Sequence, residues 1–207
     1  SREAASTLLK ARTDSFVDVP IESHAIVGPS PADAVVTATD DYDADLVVFG
    51  RGPPEDLEPA VAKRVTCDTV VVNERDTLDE LRSVLVPIAG GPHTDAVLAV
   101  AGDVASAHDA AVELLHVVDE DPSAETTKAA EELLSNGRSS LPSSLTITST
   151  VVEAPDVVDP IRNASAEHDC TVIGAPTKGR LKRFVLDSHA EQITEAARNT
   201  VAMVRRN

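Results

Sequence analysis

With 207 residues the chain can bury one large core or two small ones, and because 42% of it is hydrophobic but only 2% aromatic, that core is built from Val, Ala, Leu and Ile. Acidic residues number 35 and basic ones 18, for a formal charge of −17, so no broad basic face exists to neutralise nucleic-acid phosphates or an anionic membrane surface. The hydrophobic fraction and the even spread of the carboxylates also exclude a disordered acidic tail. Lysine is confined to Lys10, Lys63, Lys128, Lys178 and Lys182. This acidic, Lys-poor composition reads as halophilic, since high salt screens the self-repulsion. No stretch approaches the ~18 apolar residues of a membrane span, and no signal peptide is seen. The sequence opens at Ser1 without Met, which reads as a piece excised from a longer protein.

In chain order, His24-Ala25-Ile26-Val27 predicts a strand and Ser30-Pro31, with Asp33 at the third position, the start of a helix. Asp45 to Gly50 predicts a buried strand and Thr69 to Asn73 another. Glu74 to Glu80 is a polar linker. Val84 to Ile88 is a short apolar strand ending in the turn Ala89-Gly90-Gly91-Pro92. Val97, Val100 and Val104 then fall at helical spacing. Val112 to Val118 is the next strand, and a helix through Ala129, Ala130, Leu133 and Leu134 is stopped by Asn136-Gly137. Leu145 to Val152 alternates as a half-exposed edge strand does. Asp156 caps a helix carrying Val157, Val158 and Ile161. Thr171 to Gly174 is a buried strand, Ala190, Ile193 and Ala197 share a helix face, and Thr200 to Val204 is the last strand. Strands alternating with helices, several of them apolar throughout, imply a parallel sheet covered on both faces.

The stretch from His24 to Asn73 repeats the pattern of Thr150 to Val204. The copies are unequal. Gly174 lies 90 residues after Val84, where the second copy's first strand begins, whereas only 49 residues precede Gly50. The first copy is therefore expected to lack its opening strand, helix and strand, and to be completed by an upstream segment or another chain. The division expected is a truncated domain over residues 1–73, a linker over 74–81 and a complete domain over 82–207.

Val84-Leu85-Val86-Pro87-Ile88, Leu114-Leu115-His116-Val117-Val118, and Val172-Ile173-Gly174 followed by a basic loop and Ser188 together resemble the universal stress protein family. The resemblance implies an α/β fold: an open parallel five-stranded sheet with helices on both faces, ordered 3-2-1-4-5, in two copies with the first incomplete. It also implies a homodimer, or an internal pseudo-dimer, formed through the last strands. More narrowly, Ala89-Gly90-Gly91-Pro92-His93, the Thr171 to Gly174 strand and the closing Val204-Arg205-Arg206-Asn207 are similar to the cytosolic tails of archaeal amino-acid permeases. That likeness implies a cytoplasmic regulatory module, tethered to a membrane transporter in the same polypeptide without inserting into the membrane itself.

ATP-binding members of the family carry the signature G-x2-G-x9-G-[ST] from the fourth strand into the last helix. Its glycines let backbone amides approach the phosphates, which face a helix N-terminus. Here Gly174 holds the first position, Thr177 the second, Asp187 the third, and Ser188 is retained; the loop length is unchanged. Asp187 would oppose a phosphate by about 1 to 4 kcal/mol per unit-charge pair at ~4 Å. Where ATP-binding members carry an Asp that contacts the nucleoside at the end of the first strand, this chain has Ala89. Against these departures stands a basic cluster, Lys178, Gly179, Arg180, Leu181, Lys182 and Arg183, whose functional reading is an anion site and whose bland reading is a solvated loop. In the first copy Gly50-Arg51-Gly52-Pro53-Pro54 is short and loses two amides to proline, so its site is expected to be absent.

The six histidines are dispersed without metal-ligand spacing, and no nucleophile elbow or P-loop is present. Cys67 and Cys170 read as small buried hydrophobes. The expectation is a non-catalytic tandem module with a degenerate nucleotide site, needing no cofactor. The ligand the resemblance leaves open is ATP or another adenine nucleotide in the second copy. The competing reading is a soluble stress protein that binds and slowly hydrolyses ATP.

Overall fold

The computed structural model describes residues 20–26, 28–52, 57–75, 80–176 and 186–207. Helix α1 (Pro31–Asp41) begins as its sequence demands, with the Ser30 hydroxyl accepting the Asp33 amide at 3.1 Å and donating to the Asp33 carboxylate at 2.6 Å. Strand β1 (Leu46–Gly50), helix α2 (Leu57–Ala62) and strand β2 (Asp68–Asn73) follow. Next come β3 (Ser83–Pro87), α3 (Thr94–His108), β4 (Ala111–Val118), α4 (Ala124–Ser139) and β5 (Ile147–Glu153). The described chain closes with α5 (Val158–Ser165), β6 (Cys170–Gly174), α6 (Leu186–Ala196) and β7 (Thr200–Arg205).

All seven strands lie in one sheet, ordered β1-β2-β7-β6-β3-β4-β5. Neighbours are parallel except β2 and β7, which pair antiparallel about Val71 and Met203. The expected five-stranded sheet is thus replaced by a continuous seven-stranded one. Within it, β5-β4-β3-β6-β7 keeps the expected order.

The central strands bury both faces, which explains their unbroken apolar runs. Val84 and Val86 of β3, Val112 and Leu114 of β4 and Val172 of β6 pack against Val97, Leu98 and Ala101 of α3 and Leu134 of α4. Leu85, Leu115 and Ile173 turn the other way, onto Ile161 of α5 and Ile193 of α6. Each such side chain stabilises by ~1.5 to 3 kcal/mol relative to exposure. Val70 of β2 belongs to the same cluster as Val84 and Val204, so the core runs unbroken across the antiparallel seam.

Two sequence expectations about local elements need correction. His24 to Ile26 is not a strand, because no described strand lies alongside to complete a ladder; Val27 lies outside the described residues. Asn136-Gly137 does not stop α4, which continues to Ser139. Gly137 is buried there because a Cβ would stand 3.1 Å from Ile88 Cδ1 and 3.3 Å from Leu114 Cδ1, so the glycine serves close helix-to-sheet packing. The Arg75 guanidinium donates to the carbonyls of Thr194 and Glu195 at 3.0 and 2.6 Å, satisfying the last turn of α6. Asp156 does cap α5, accepting the Asp159 amide at 2.9 Å. No helix among the described residues is long and apolar enough to cross a membrane.

Candidate functional site

Parallel strands deliver their carboxyl ends to one rim of the sheet, and the chain departs in opposite directions from β3 and β6. That reversal opens a crevice outside the strand ends. Ala89 stands just beyond β3, and Gly174 is the last residue of β6. The structure brings the two together on the wall of one small crevice of ≈ 40 Å³. Such a volume holds about three waters. Gly90 makes the turn possible at φ 74°, in the left-handed region that favours glycine.

His93 explains why the crevice is so small. It is buried at the entry to α3, its Nδ1 accepts the Arg206 amide at 3.0 Å, and its Cβ lies 3.4 Å from where a Cβ on Gly174 would be. The bare backbone of Gly174 is therefore approached by an imidazole-bearing residue of the same chain.

On the other side of Ala89 lies a larger cleft of ≈ 420 Å³. Leu115 and Val117 of β4, Leu133 of α4 and Val157 and Ile161 around α5 make it apolar, while His116, Asp119 and Thr126 supply polar groups. His116 Nδ1–H donates to the Ile88 carbonyl at 2.7 Å, which fixes the ring and leaves Nε2 as the acceptor of the neutral form. An apolar slot with a few convergent polar groups is the usual composition of a small-molecule site. Apart from Ala89, the residues that line it were not singled out from the sequence as site residues. One signal was available: Asp119 and Ala154 directly follow the strands β4 and β5, the positions from which ligands are contacted in open α/β sheets.

Thr177, Lys178, Gly179 and Arg180 lie outside the described residues. Asp187 and Ser188 fall in the first turn of α6. Near the end of β1 a third cavity of ≈ 570 Å³ is lined by Gly50, Arg51, Glu58, Glu191 and Glu195, so carboxylates outnumber the single arginine among those side chains. Both cysteines are buried and free; burial and the neighbouring Asp169 push the Cys170 thiol up to about 11, which keeps it protonated. Among the described residues no group of His, Cys, Asp and Glu is placed to hold a metal ion.

The universal stress protein family profile matches residues 80–205, which take in β3 to β7. The chain belongs to the universal stress protein family. No curated protein matches it. Among solved structures, a universal stress protein from Archaeoglobus fulgidus DSM 4304 matches 100% of this chain and 77% of its own, with a TM-score of 0.65 at 14% identity. A Pseudomonas aeruginosa UCBPP-PA14 protein of the same description matches 99% of this chain and 78% of its own, with a TM-score of 0.58 at 14% identity. A universal stress protein solved in complex with cAMP matches 62% of this chain and 100% of its own, with a TM-score of 0.52 at 17% identity. At these identities the likeness is one of fold.

Proposed function

We propose that this universal stress protein chain is a non-catalytic regulatory and assembly module of tandem type, whose cleft receives the nucleoside end of an adenine nucleotide but whose phosphate site has decayed. The observation that carries the reading is the contrast across Ala89: ≈ 420 Å³ on the His116 side, and ≈ 40 Å³ beside Gly174, where His93 stands. The family relative bound to cAMP makes an adenine nucleotide the first ligand to try. Asp187, in place of the family's third glycine, disfavours a polyphosphate further.

The tandem part of the proposal rests on the seam. β1 and β2 relate to β7 and β6 as two parallel pairs joined antiparallel, the arrangement of two copies meeting through their last strands. Two structural neighbours extend over essentially the whole chain, and another is used up on about three-fifths of it, as expected if one kind has two copies and the other one. The tail-like residues Ala89 to His93 and Val204 to Asn207 extend the proposal to a place behind an amino-acid transporter, in the cytoplasm. A parent reading frame with hydrophobic spans upstream supports that placement, and one without them removes it.

Calorimetric titration of adenosine, AMP, ADP and ATP at molar salt tests the ligand reading. Affinity falls from AMP to ATP by about tenfold or more, a difference of ~1.4 kcal/mol, and the gap widens as salt is lowered. Micromolar ATP binding that exceeds AMP and disappears in Lys178→Ala/Arg180→Ala would replace this reading with that of an ATP-binding stress protein, which the basic loop favours.

A further inference from the structure

The ≈ 420 Å³ cleft beside Ala89 holds one acceptor whose orientation the fold fixes. His116 is half-buried on β4, and its Nδ1 lies 2.7 Å from the Ile88 carbonyl oxygen. That oxygen can only accept, so the proton sits on Nδ1 and the neutral ring presents Nε2 as an acceptor. Among the described residues no group donates to that nitrogen. Leu115, Val117, Val157 and Ile161 line the cleft with hydrocarbon side chains, which suit the faces of a base but bring no donor. A ligand that covers the ring without supplying a donor leaves Nε2 unpaired and loses affinity.

The place of the ring says which donor meets it. Ile88 directly precedes Ala89, the residue that divides the cleft from the crevice beside Gly174. In a nucleotide the sugar joins base to phosphate. With the base against the apolar walls and the phosphate directed to the Gly174 side, the sugar lies along the Ile88–Ala89 boundary where the imidazole is held. We propose that His116 is a specificity-determining residue of this cleft, its Nε2 accepting from a ribose hydroxyl, so that ribonucleotides are preferred to their deoxy counterparts. The proposal rests on the nucleotide reading above. The cleft's other polar side chains discriminate less. Asp119 is exposed just past β4, so water can stand in for a missing ligand donor, and the Thr126 hydroxyl is already engaged with Ser123 at 2.9 Å.

Calorimetric titration of AMP, 2′-deoxy-AMP and 3′-deoxy-AMP into the purified chain tests the assignment. The parent is expected to bind AMP about tenfold more tightly than one of the two deoxy analogues. In His116→Asn the side-chain amide can still donate to the Ile88 carbonyl, but no acceptor remains at the Nε2 position. That variant should bind all three ligands alike, whereas Asp119→Asn keeps the parent's ratio whatever its affinity. A second readout needs no substitution: the Nε2 nitrogen-15 resonance of His116 shifts with AMP and stays in place with the analogue that lacks the contacting hydroxyl. AMP binding without preference among the three ligands overturns the proposal and leaves the nucleotide reading standing. So does a preference that survives His116→Asn, or one that vanishes in Asp119→Asn. A parent chain that binds none of the three overturns both.

Discussion

At the scale of single residues, Asp169 ties the start of β3 to the start of β6. One carboxylate oxygen accepts from the amides of Arg82 and Ser83 and from the Ser83 hydroxyl, each at 2.9 Å. Burial by itself would raise its pKa; the bonds from Arg82 and Ser83 and the Arg82 charge together outweigh it and hold the carboxyl below its ordinary value. Since the folded value is the lower one, the contribution is present above about pH 4 and is lost as pH falls through the folded pKa. Asp169→Ala should cost about 2 to 3 kcal/mol at pH 7, because two amides lose their acceptor. Its urea midpoint should also fall less than the parent's between pH 5 and pH 2. Equal acid losses in both would show that Asp169 does not couple to folding. Gly137 offers a second check: Gly137→Val drives a branched side chain into Ile88 and Leu114 and should cost about 1 to 3 kcal/mol in the same titration.

At the scale of elements, what the sequence disclosed follows from whether the information is local. Strands β3 to β7 and the helices between them were legible because burial on both faces leaves unbroken apolar runs, and burial on one leaves a 3.6-residue period. The caps at Ser30 and Asp156 were legible for the same reason, the hydrogen bond spanning only three residues. His24 to Ile26 misled because strand propensity without a neighbour makes no ladder. Gly137 misled because its reason is contact with β3 and β4, which no local rule contains. The site divides in the same way. Ala89 and Gly174 could be placed at strand ends from sequence. That His93 would stand against Gly174, and that His116 would be fixed on the Ile88 carbonyl, are contacts across 81 and 28 residues of chain. Only the fold reveals them.

At the scale of the whole molecule, the antiparallel seam decides whether the chain behaves as one body or two. Val70 shares its apolar cluster with Val84, Val112 and Val204, and Arg75 is anchored on α6, so both packing and hydrogen bonds cross the seam. The chain should therefore unfold in one calorimetric transition, with van't Hoff and calorimetric enthalpies equal. Two resolved transitions would mean that the β1–β2 half melts independently and that the seam adds little.

In the proposed function the cleft beside Ala89, rather than the crevice beside Gly174, receives the ligand. That placement is tested most directly by following the histidine ring resonances during titration with AMP, in the parent chain and in Ala129→Trp, which puts a large ring at an exposed helix position on the cleft wall. A saturable shift of the His116 signals that Ala129→Trp removes is expected, while His93 stays nearly still. Shifts confined to His93, or AMP binding undiminished by Ala129→Trp, would contradict that placement.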